Sequence, residues 1–377
     1  MQTKTYNNGE LVVEDYKNGG KNIIVNRPKN LHAIDSKYFR TALNVLNQAQ
    51  IDGNCSYVII SSTSCTSTSP NIACSTIKTR SFCAGGDVKQ LTRAMQNDMF
   101  MAYYYLGTEY SLNLALARFQ KPSIAIMDGI VMGGGAGISA PCRYRVVSEQ
   151  TRWAMPECAI GFFPDVGLCY YLSRIKSLAL GCFLGLTGYN CSADEAIYCG
   201  LATHYISQDR QRKMIEMIQE SDGKDTTIKR ILDNLSSAPK TSSTLQSKTN
   251  VINKCFCHDN VESIIKSLEE STEHVDFCKQ ILDKLNLFSP TALRVTLKCI
   301  RDARYLNIEE CIKQNYNIAC NYNHLCSDFV TGVKTKLIDK SNDYRWSPVF
   351  ENIEAFFEEF KSPPFHVWSQ LNQTSKL

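Results

Sequence analysis

A cluster of four glycines constrains the fold of this chain more than any other feature of its sequence. Gly133, Gly134, Gly135 and Gly137 follow an apolar segment, residues 123–127, that has the pattern of a buried strand. Glycine allows backbone conformations and close approaches that side chains forbid. A strand, a glycine-rich turn and a helix in this order predict a layered α/β core.

The segments before this cluster favour the same architecture. Residues 11–16 and 22–26 predict the two strands of a hairpin, joined at the Asn-Gly-Gly turn of residues 18–20. A helix capped by Asp35 follows, and residues 57–61 predict another buried strand. Strands and helices therefore alternate along the first part of the chain.

Two stretches of the chain depart from this alternation of strands and helices. Residues 62–80 are rich in Ser and Thr, which predicts an extended surface loop. After residue 208 the strand patterns stop, and amphipathic helical patterns dominate. We therefore expect an α/β domain over residues 1–208 and a helical domain over residues 209–377.

Composition excludes several classes of partner. The net charge of +4 is spread along the chain without a basic block, so we expect neither nucleic acid nor a membrane as a partner. There is no run of about 18 apolar residues to span a bilayer.

The seventeen cysteines are irregularly spaced, which favours reduced thiols inside a cell. Cys255, Cys257 and His258 lack a second ligand pair, so we expect no metal.

The last three residues predict a cellular address. Ser375, Lys376 and Leu377 form the tripeptide that the peroxisomal import receptor binds at a C-terminus. The first residues have the pattern of neither a signal peptide nor a transit peptide. We expect import into peroxisomes where the host has them, with the cytosol or the mitochondrion as the alternative.

Two glycine turns are candidates for binding an anionic group. Residues 81–87, Ser-Phe-Cys-Ala-Gly-Gly-Asp, predict a tight turn whose backbone N–H groups point outward, and residues 128–137 predict a turn that opens a helix. The second turn, at the positive end of a helix dipole, is suited to a phosphate or a developing oxyanion. Two other interpretations remain: residues 135–140 also fit the weak dinucleotide pattern G-x-G-x-x-A, or the glycines only permit close packing.

A third segment carries two acids. Glu157 and Asp165 bracket the apolar residues Ala159, Ile160, Phe162 and Phe163. Such neighbours remove water from a carboxyl group, which raises its pKa and suits it to act as a general acid or base. The alternative is a pair of exposed acids beside a turn.

Together, the three segments resemble the crotonase superfamily, and within it the 3-hydroxyisobutyryl-CoA hydrolases. The resemblance covers nearly the whole chain outside residues 62–80 and the middle of the helical region. It implies a spiral core of repeated ββα units with C-terminal helices that close over the site. The matching motifs are Asn26-Arg-Pro-Lys29 with Ala33, Phe82-Cys-Ala-Gly-Gly-Asp87, Met132-Gly-Gly-Gly-x-Gly137, Ala154-Met-Pro-Glu157 and Gly161-x-Phe-Pro-Asp-Val-Gly167.

The resemblance implies a role for each catalytic position. The backbone N–H groups of Gly86 and Gly134 would hold the thioester oxygen. Glu157 would be the principal catalytic carboxylate, as a nucleophile or as a general base, and Asp165 the second acid. Glu109 would contact substrate, and the alternative is a solvated helix glutamate.

The resemblance also implies where coenzyme A binds. Its pantetheine and adenine would lie near Lys29, Ala33, Ala84 and Asp87, so that CoA enters as part of the substrate and no separate cofactor is needed. A homo-oligomer is possible. One departure affects the acyl pocket, since Leu168-Cys169 stands where the family usually has more glycine.

These roles predict hydrolysis of a short 3-hydroxyacyl-CoA thioester. The hydratases of the superfamily carry a second glutamate three residues after the donor glycine, where this chain has Gly137. An enoyl-CoA hydratase or isomerase that uses Glu157 alone is one alternative. A CoA-binding scaffold without catalysis is the other.

Overall fold

The secondary structure of the chain is mixed, with strands in its first part and helices throughout. A computed structural model describes residues 1–66, 80–238 and 244–360. These residues form the strands β1 (Gln2–Tyr6), β2 (Leu11–Asp15), β3 (Gly20–Val25), β4 (Tyr57–Ser62), β5 (Ser81–Cys83), β6 (Ser123–Met127), β7 (Ile130–Met132), β8 (Tyr144–Val147), β9 (Arg152–Ala154) and β10 (His204–Tyr205).

The same residues form seventeen α-helices. They are α1 (Ser36–Ile51), α2 (Thr63–Thr66), α3 (Val88–Asn97), α4 (Met99–Ala117), α5 (Gly134–Ser139), α6 (Leu168–Leu172), α7 (Leu178–Thr187), α8 (Ala193–Cys199), α9 (Gln208–Glu220), α10 (Asp225–Leu235), α11 (Thr244–Ser247), α12 (Thr249–Cys255), α13 (Val261–Glu269), α14 (Val275–Leu287), α15 (Pro290–Asp302), α16 (Ile308–Leu325) and α17 (Asp328–Val333).

A seven-stranded sheet has the order β1-β2-β3-β4-β6-β8-β10, and a three-stranded sheet has the order β5-β7-β9. The strands β1, β2 and β3 pair antiparallel, and the large sheet continues in parallel pairs from β3 to β10. The predicted hairpin is confirmed. Its turn contains Gly19 at φ +83°, in the left-handed region that favours glycine. The predicted cap is also confirmed, since the Asp35 carboxylate accepts a hydrogen bond from the Tyr38 N–H at 2.9 Å.

The chain forms two compact units that alternate along the sequence. Of the described residues, the first contains 1–66, 80–87, 111–153 and 190–238, and the second contains 88–110, 154–189 and 244–360. The helix α4 begins in the second unit and ends in the first.

In the first unit, two helices pack on the large sheet. Met214 and Ile218 of α9 and Leu232 of α10 are buried in one cluster with Ile124 and Ile126 of β6. This burial explains why residues 209–238, which the sequence groups with the helical domain, fall in the first unit. The predicted domain division at residue 208 stays a prediction.

The second unit is helical over most of its described length. Its helix α7 contacts α6, α12, α14 and α15, and nine of its ten residues are buried. A helix that is apolar all round packs on every side. Among the described residues after Tyr205 there are helices but no strands, as the loss of strand patterns predicts. No helix of the described ranges is long and apolar enough to cross a bilayer.

The surface loop predicted over residues 62–80 is wrong at its N-terminal end. Ser62 ends β4, and Thr63 and Ser64 are buried in the short helix α2. At the other end, the Arg80 guanidinium donates to the buried Asp128 carboxylate at 2.8 Å and to the Ser64 carbonyl at 2.6 Å. Residues 67–79 lie outside the described residues, and so do Ser375, Lys376 and Leu377, whose import signal stays a prediction.

Close helix packing in the second unit predicts a position that tolerates no side chain. A Cβ atom on Gly181 of α7 would lie 2.0 Å from the Leu172 carbonyl oxygen. We expect Gly181→Ala to destabilise the chain by about 1–3 kcal/mol through overpacking. Gly53 is the matched control, because a Cβ atom there would meet nothing within 4 Å. Thermal unfolding of both variants checks this, and equal melting temperatures would contradict it.

Candidate active site

Three buried acids lie together in the second unit. Glu109 is on α4, Glu157 begins a 3-10 turn, and Asp165 precedes α6; their exposed fractions are 5%, 7% and 8%. The charges of Asp165 and Glu157 act on Glu109, and the charge of Asp165 acts on Glu157. Among the described residues, no cation forms an ion pair with any of the three. The structure thus brings together the three acids that the sequence proposes, and Glu109 is not a solvated helix glutamate.

Burial raises the pKa of all three acids. It raises the pKa of Glu157 well above its usual value, and the negative charge of Asp165 raises it further. Burial and the charges of Asp165 and Glu157 raise the pKa of Glu109 in the same way. Burial raises the pKa of Asp165 to about 6, although the hydrogen bond from Tyr110 and a backbone hydrogen bond oppose the shift. The cluster therefore exchanges protons nearer neutral pH than ordinary carboxyl groups do.

Tyr110 is a site residue that the sequence does not reveal. Its hydroxyl group donates to Asp165 Oδ2 at 2.6 Å, and the side chain is fully buried. Burial and the charge of Asp165 raise the pKa of Tyr110 well above its usual value, so it stays a donor. Its position directly after Glu109 on an apolar helix is the one available signal, and an aromatic residue there is typical of a core.

One carboxylate oxygen of Glu157 has no partner. The Oε2 atom is buried and accepts no hydrogen bond from any described residue. Buried polar atoms nearly always have a partner, so an orphan acceptor indicates a place for water or a ligand group. Asp165 differs, because Tyr110 already binds its Oδ2 atom. Glu157 therefore keeps a buried acceptor oxygen that no described residue satisfies.

A close contact fixes the turn that carries Glu157. Gly161 ends this turn at φ +72°, and a Cβ atom there would lie 2.4 Å from the Asp328 carbonyl oxygen. The turn can therefore approach the start of α17 only because residue 161 is glycine. Phe162 and Phe163 follow and are buried against each other, with ring centroids 4.7 Å apart. These rings form part of the apolar surroundings that the sequence predicts for the two acids.

The turn after Asp165 has an unusual backbone. Val166 is buried and has φ +50°, and Gly167 follows at φ +77°. A β-branched residue rarely adopts the left-handed region, and such strain costs about 1–3 kcal/mol. The Leu168 N–H group donates to the Asp165 carbonyl oxygen at 2.8 Å and closes the turn. Strained backbone of this kind clusters at functional sites.

The two predicted oxyanion turns lie side by side in the first unit. The strands β5 and β7, which lead into them, pair in parallel. A Cβ atom on Gly85 would lie 3.2 Å from the Met132 carbonyl oxygen and 3.5 Å from the Gly134 nitrogen. A Cβ atom on Gly135 would lie 2.3 Å from the Cys83 carbonyl oxygen. The glycines are thus needed for backbone to pack on backbone.

The N–H groups of Gly86 and Gly134 have no hydrogen-bond partner among the described residues. Gly86 forms a parallel bridge with Ile34, in which the hydrogen bonds use the Gly85 carbonyl oxygen and the Asp87 N–H group at 2.9 and 2.7 Å. This pattern leaves the Gly86 N–H unused. Gly134 is the first residue of α5, where N–H groups have no helical acceptor. Their role as oxyanion donors stays a prediction.

The residues predicted to bind coenzyme A also lie together in the first unit. The Ala84 N–H donates to the Leu31 carbonyl oxygen at 3.1 Å, which places residues 84–87 along the segment that contains Lys29 and Ala33. Lys29 is exposed. Arg27, which the sequence does not single out, donates to the Ala33 carbonyl oxygen at 2.5 Å and lies 3.5 Å from an Asp87 carboxylate oxygen. It therefore orders two of the four predicted residues.

Other candidate residues have structural contacts. His204 hydrogen-bonds Thr203 and Asp233 at 2.8 and 3.1 Å. The carbonyl oxygens of Cys257 and His258 accept hydrogen bonds from Arg301 at 2.6 and 2.5 Å. In the part of the chain that the structure describes, no group of His, Cys, Asp and Glu side chains could hold a metal ion.

Comparison with known proteins identifies the family. The sequence model described as enoyl-CoA hydratase/isomerase matches residues 21–356, so the chain belongs to this family. 3-Hydroxyisobutyryl-CoA hydrolase 1 of Arabidopsis thaliana is 32% identical over 355 residues, which cover 92% of this chain and 89% of that protein. The mitochondrial 3-hydroxyisobutyryl-CoA hydrolase of Homo sapiens is 32% identical over 86% of this chain and 81% of that protein.

A solved structure extends the comparison to the fold. The crystal structure of a carnitinyl-CoA dehydratase from Mycobacterium thermoresistibile matches with a TM-score of 0.81 and 29% identity, over 93% of this chain and 97% of that chain. The predicted crotonase-like fold is confirmed. The relatives also confirm the predicted resemblance to the 3-hydroxyisobutyryl-CoA hydrolases, and with it an enzyme of the acyl-CoA hydrolase type.

The raised pKa of Glu157 predicts how its replacement changes stability. A carboxyl group whose pKa is raised in the folded state stabilises that state below its unfolded pKa, and this stability is lost as the pH rises. Glutamine does not ionise, so we expect Glu157→Gln to melt a few degrees above the parent at pH 8, with the gap closing towards pH 4.

Glu262→Gln is the control for this comparison. Slight burial opposes the shift, but a backbone hydrogen bond and Arg294 lower the pKa of Glu262, so its replacement should not stabilise the chain at pH 8. The melting temperatures of the parent, Glu157→Gln and Glu262→Gln at pH 4, 6 and 8 test this expectation. A Glu157→Gln variant that melts below the parent at pH 8 would contradict a raised pKa of Glu157.

Proposed function

We propose that this chain hydrolyses the thioester of a short 3-hydroxyacyl-CoA, and that 3-hydroxyisobutyryl-CoA is its substrate. The products are 3-hydroxyisobutyrate and CoA, as in valine breakdown. The observation that carries the proposal is the buried, unpartnered carboxylate oxygen of Glu157 within a cluster of acids. The names of the relatives, which are hydrolases of this thioester, support the choice of substrate.

The glycine turns supply the electrostatic part of the mechanism. When water or a carboxylate attacks a thioester, negative charge develops on the carbonyl oxygen. The N–H groups of Gly86 and Gly134 bind this oxygen, and each well-placed donor contributes about 2.7–4 kcal/mol at the transition state. Their lack of partners among the described residues supports this role.

Glu157 starts the reaction in one of two ways. As a general base it takes a proton from water, whose oxygen attacks the carbonyl carbon; the C–S bond then breaks, and Glu157 returns the proton to the CoA thiolate. As a nucleophile it attacks the carbonyl carbon itself, expels the thiolate and forms an anhydride that water hydrolyses. In either case Asp165 is the second acid of the site, and its pKa, which burial raises to about 6, suits it to accept or donate a proton near neutral pH.

Position 137 favours hydrolysis over hydration. A two-glutamate hydratase needs a second acid there, and this chain has a buried glycine within α5. The two acids that accompany Glu157 come from elsewhere, Asp165 from the turn before α6 and Glu109 from α4. This arrangement differs from the one that the hydratase alternative requires.

Release of a free thiol separates the alternatives. We expect the chain to release CoA from 3-hydroxyisobutyryl-CoA and not from crotonyl-CoA, as measured with a thiol reagent. Glu157→Gln should lose at least about a hundredfold in rate, whereas Glu262→Gln should match the parent. Addition of water to crotonyl-CoA without thiol release would favour a hydratase. Equal activity of Glu157→Gln and the parent would remove Glu157 from the mechanism.

Asp165 should control the pH at which Glu157 works. Its negative charge raises the pKa of Glu157, so Asp165→Asn should lower that pKa. If ionised Glu157 is the reacting form, the acidic limb of kcat/KM moves to lower pH, while the maximal rate falls at least about tenfold. Asp233→Asn, a change at an exposed residue of α10, is the control. An acidic limb that stays in place or moves to higher pH in Asp165→Asn would contradict this mechanism.

Two further properties remain predictions. Vertebrate relatives are named as mitochondrial, whereas Ser375, Lys376 and Leu377 predict import into peroxisomes. The second property is the predicted assembly into a homo-oligomer. Binding of CoA along Lys29, Ala33, Ala84 and Asp87 belongs to the proposal, and so does the absence of a separate cofactor.

A further inference from the structure

Asn315 is a fully buried amide in the middle of α16. Its Oδ1 atom accepts a hydrogen bond from the Gly167 N–H at 2.9 Å, and its Nδ2 atom donates to Cys299 Sγ at 3.4 Å. Gly167 is two residues after Asp165, in the strained turn. A buried amide that satisfies both a backbone donor and a side-chain acceptor can hold two chain segments in register.

A second set of contacts holds the other side of the same turn. The Cys169 thiol, at the start of α6, donates to the Pro164 carbonyl oxygen at 2.9 Å. Cys169 and Cys299, the second partner of Asn315, are both fully buried. The hydrogen bonds at Pro164 and at Gly167 therefore form a buried network on both sides of Asp165.

The backbone of the turn explains why such a network is needed. Val166 is held at φ +50°, which a β-branched residue leaves unless its surroundings prevent it. The direction of the Asp165 side chain depends on this conformation, and its Oδ2 atom must meet the Tyr110 hydroxyl at 2.6 Å. Loss of the Asn315 hydrogen bond frees the turn to relax and moves the carboxyl group.

We propose that Asn315 is a positioning residue, which holds the Asp165 turn from α16 through its hydrogen bond to Gly167. The inference rests on the proposed function, in which Asp165 is the second acid of the site. Misplacement of a reacting group by about 1 Å can cost about a hundredfold in rate. The effect should fall on kcat rather than on KM, because Asn315 acts on an acid of the site and not on the CoA moiety.

Kinetics of matched asparagine variants give the first test. We expect Asn315→Leu and the smaller Asn315→Ala to lower kcat for 3-hydroxyisobutyryl-CoA by about 10–100-fold with KM within about threefold. Asn315→Asp keeps an acceptor for the Gly167 N–H and should stay within about threefold of the parent. Asn321→Leu is the control on the same helix, because the Asn321 side chain donates to the carbonyl oxygens of Phe356 and Glu358 instead. Equal kcat for the Asn315→Leu, Asn315→Ala and Asn321→Leu variants would overturn the inference.

A double-variant cycle on thermal stability gives a test that needs no activity. Asp165→Asn combined with Asn315→Ala should be non-additive, whereas Asp165→Asn combined with Asn321→Leu should be additive. If the parent protein releases no thiol but the Asp165 and Asn315 substitutions are non-additive, the proposed function is wrong and the positioning role of Asn315 stands. If the parent protein releases thiol and both pairs of substitutions are additive, only the positioning role is wrong.

Discussion

The second unit is organised around a costly feature, the burial of three carboxyl groups that form no ion pair with a cation among the described residues. Removing a charged carboxylate from water is strongly unfavourable, so Glu109, Glu157 and Asp165 respond with raised pKa values. Close packing around Gly161 and the buried rings of Phe162 and Phe163 maintain this environment. The chain gives up stability here and gains carboxyl groups that exchange protons near neutral pH.

The first unit meets a different constraint, which concerns backbone groups. An oxyanion site needs N–H donors that no strand or helix has used. The bridge between Ile34 and Gly86 leaves one such group, and the start of α5 at Gly134 leaves another. Gly85 and Gly135 allow the two turns to pack closely, because any side chain there would meet backbone atoms. Main-chain geometry therefore supplies the two candidate donors.

Much of this could be predicted from local patterns in the sequence. The hairpin turn at Gly19, the helix cap at Asp35 and the strand β4 depend on neighbouring residues, so a short stretch of sequence is sufficient to predict them. Glu157 and Asp165 could be found for the same reason, since their apolar neighbours are adjacent in the chain. The family resemblance added Gly86, Gly134 and Glu109, whose motifs are short and contiguous.

What the sequence did not reveal depends on contacts between distant residues. Tyr110 meets Asp165 across 55 positions, and Asn315 meets Gly167 across 148. Nothing in the local pattern distinguishes either residue from an ordinary core residue. The N-terminal end of the Ser/Thr-rich stretch differs from the prediction for the same reason, because Ser64 is buried and forms a hydrogen bond with the distant His32 at 2.8 Å. Composition alone predicts exposure there.

The central claim is that burial raises the pKa of Glu157 well above the usual carboxyl range, which makes its ionised form a stronger base in thioester hydrolysis. Difference infrared spectroscopy of the parent against Glu157→Gln, recorded from pH 4 to pH 8, measures this directly through the C=O band of the protonated acid. The account predicts that the band persists well above the ordinary pKa of 4.5. Loss of the band near pH 4.5, with Glu157 ionised at pH 6, would contradict it.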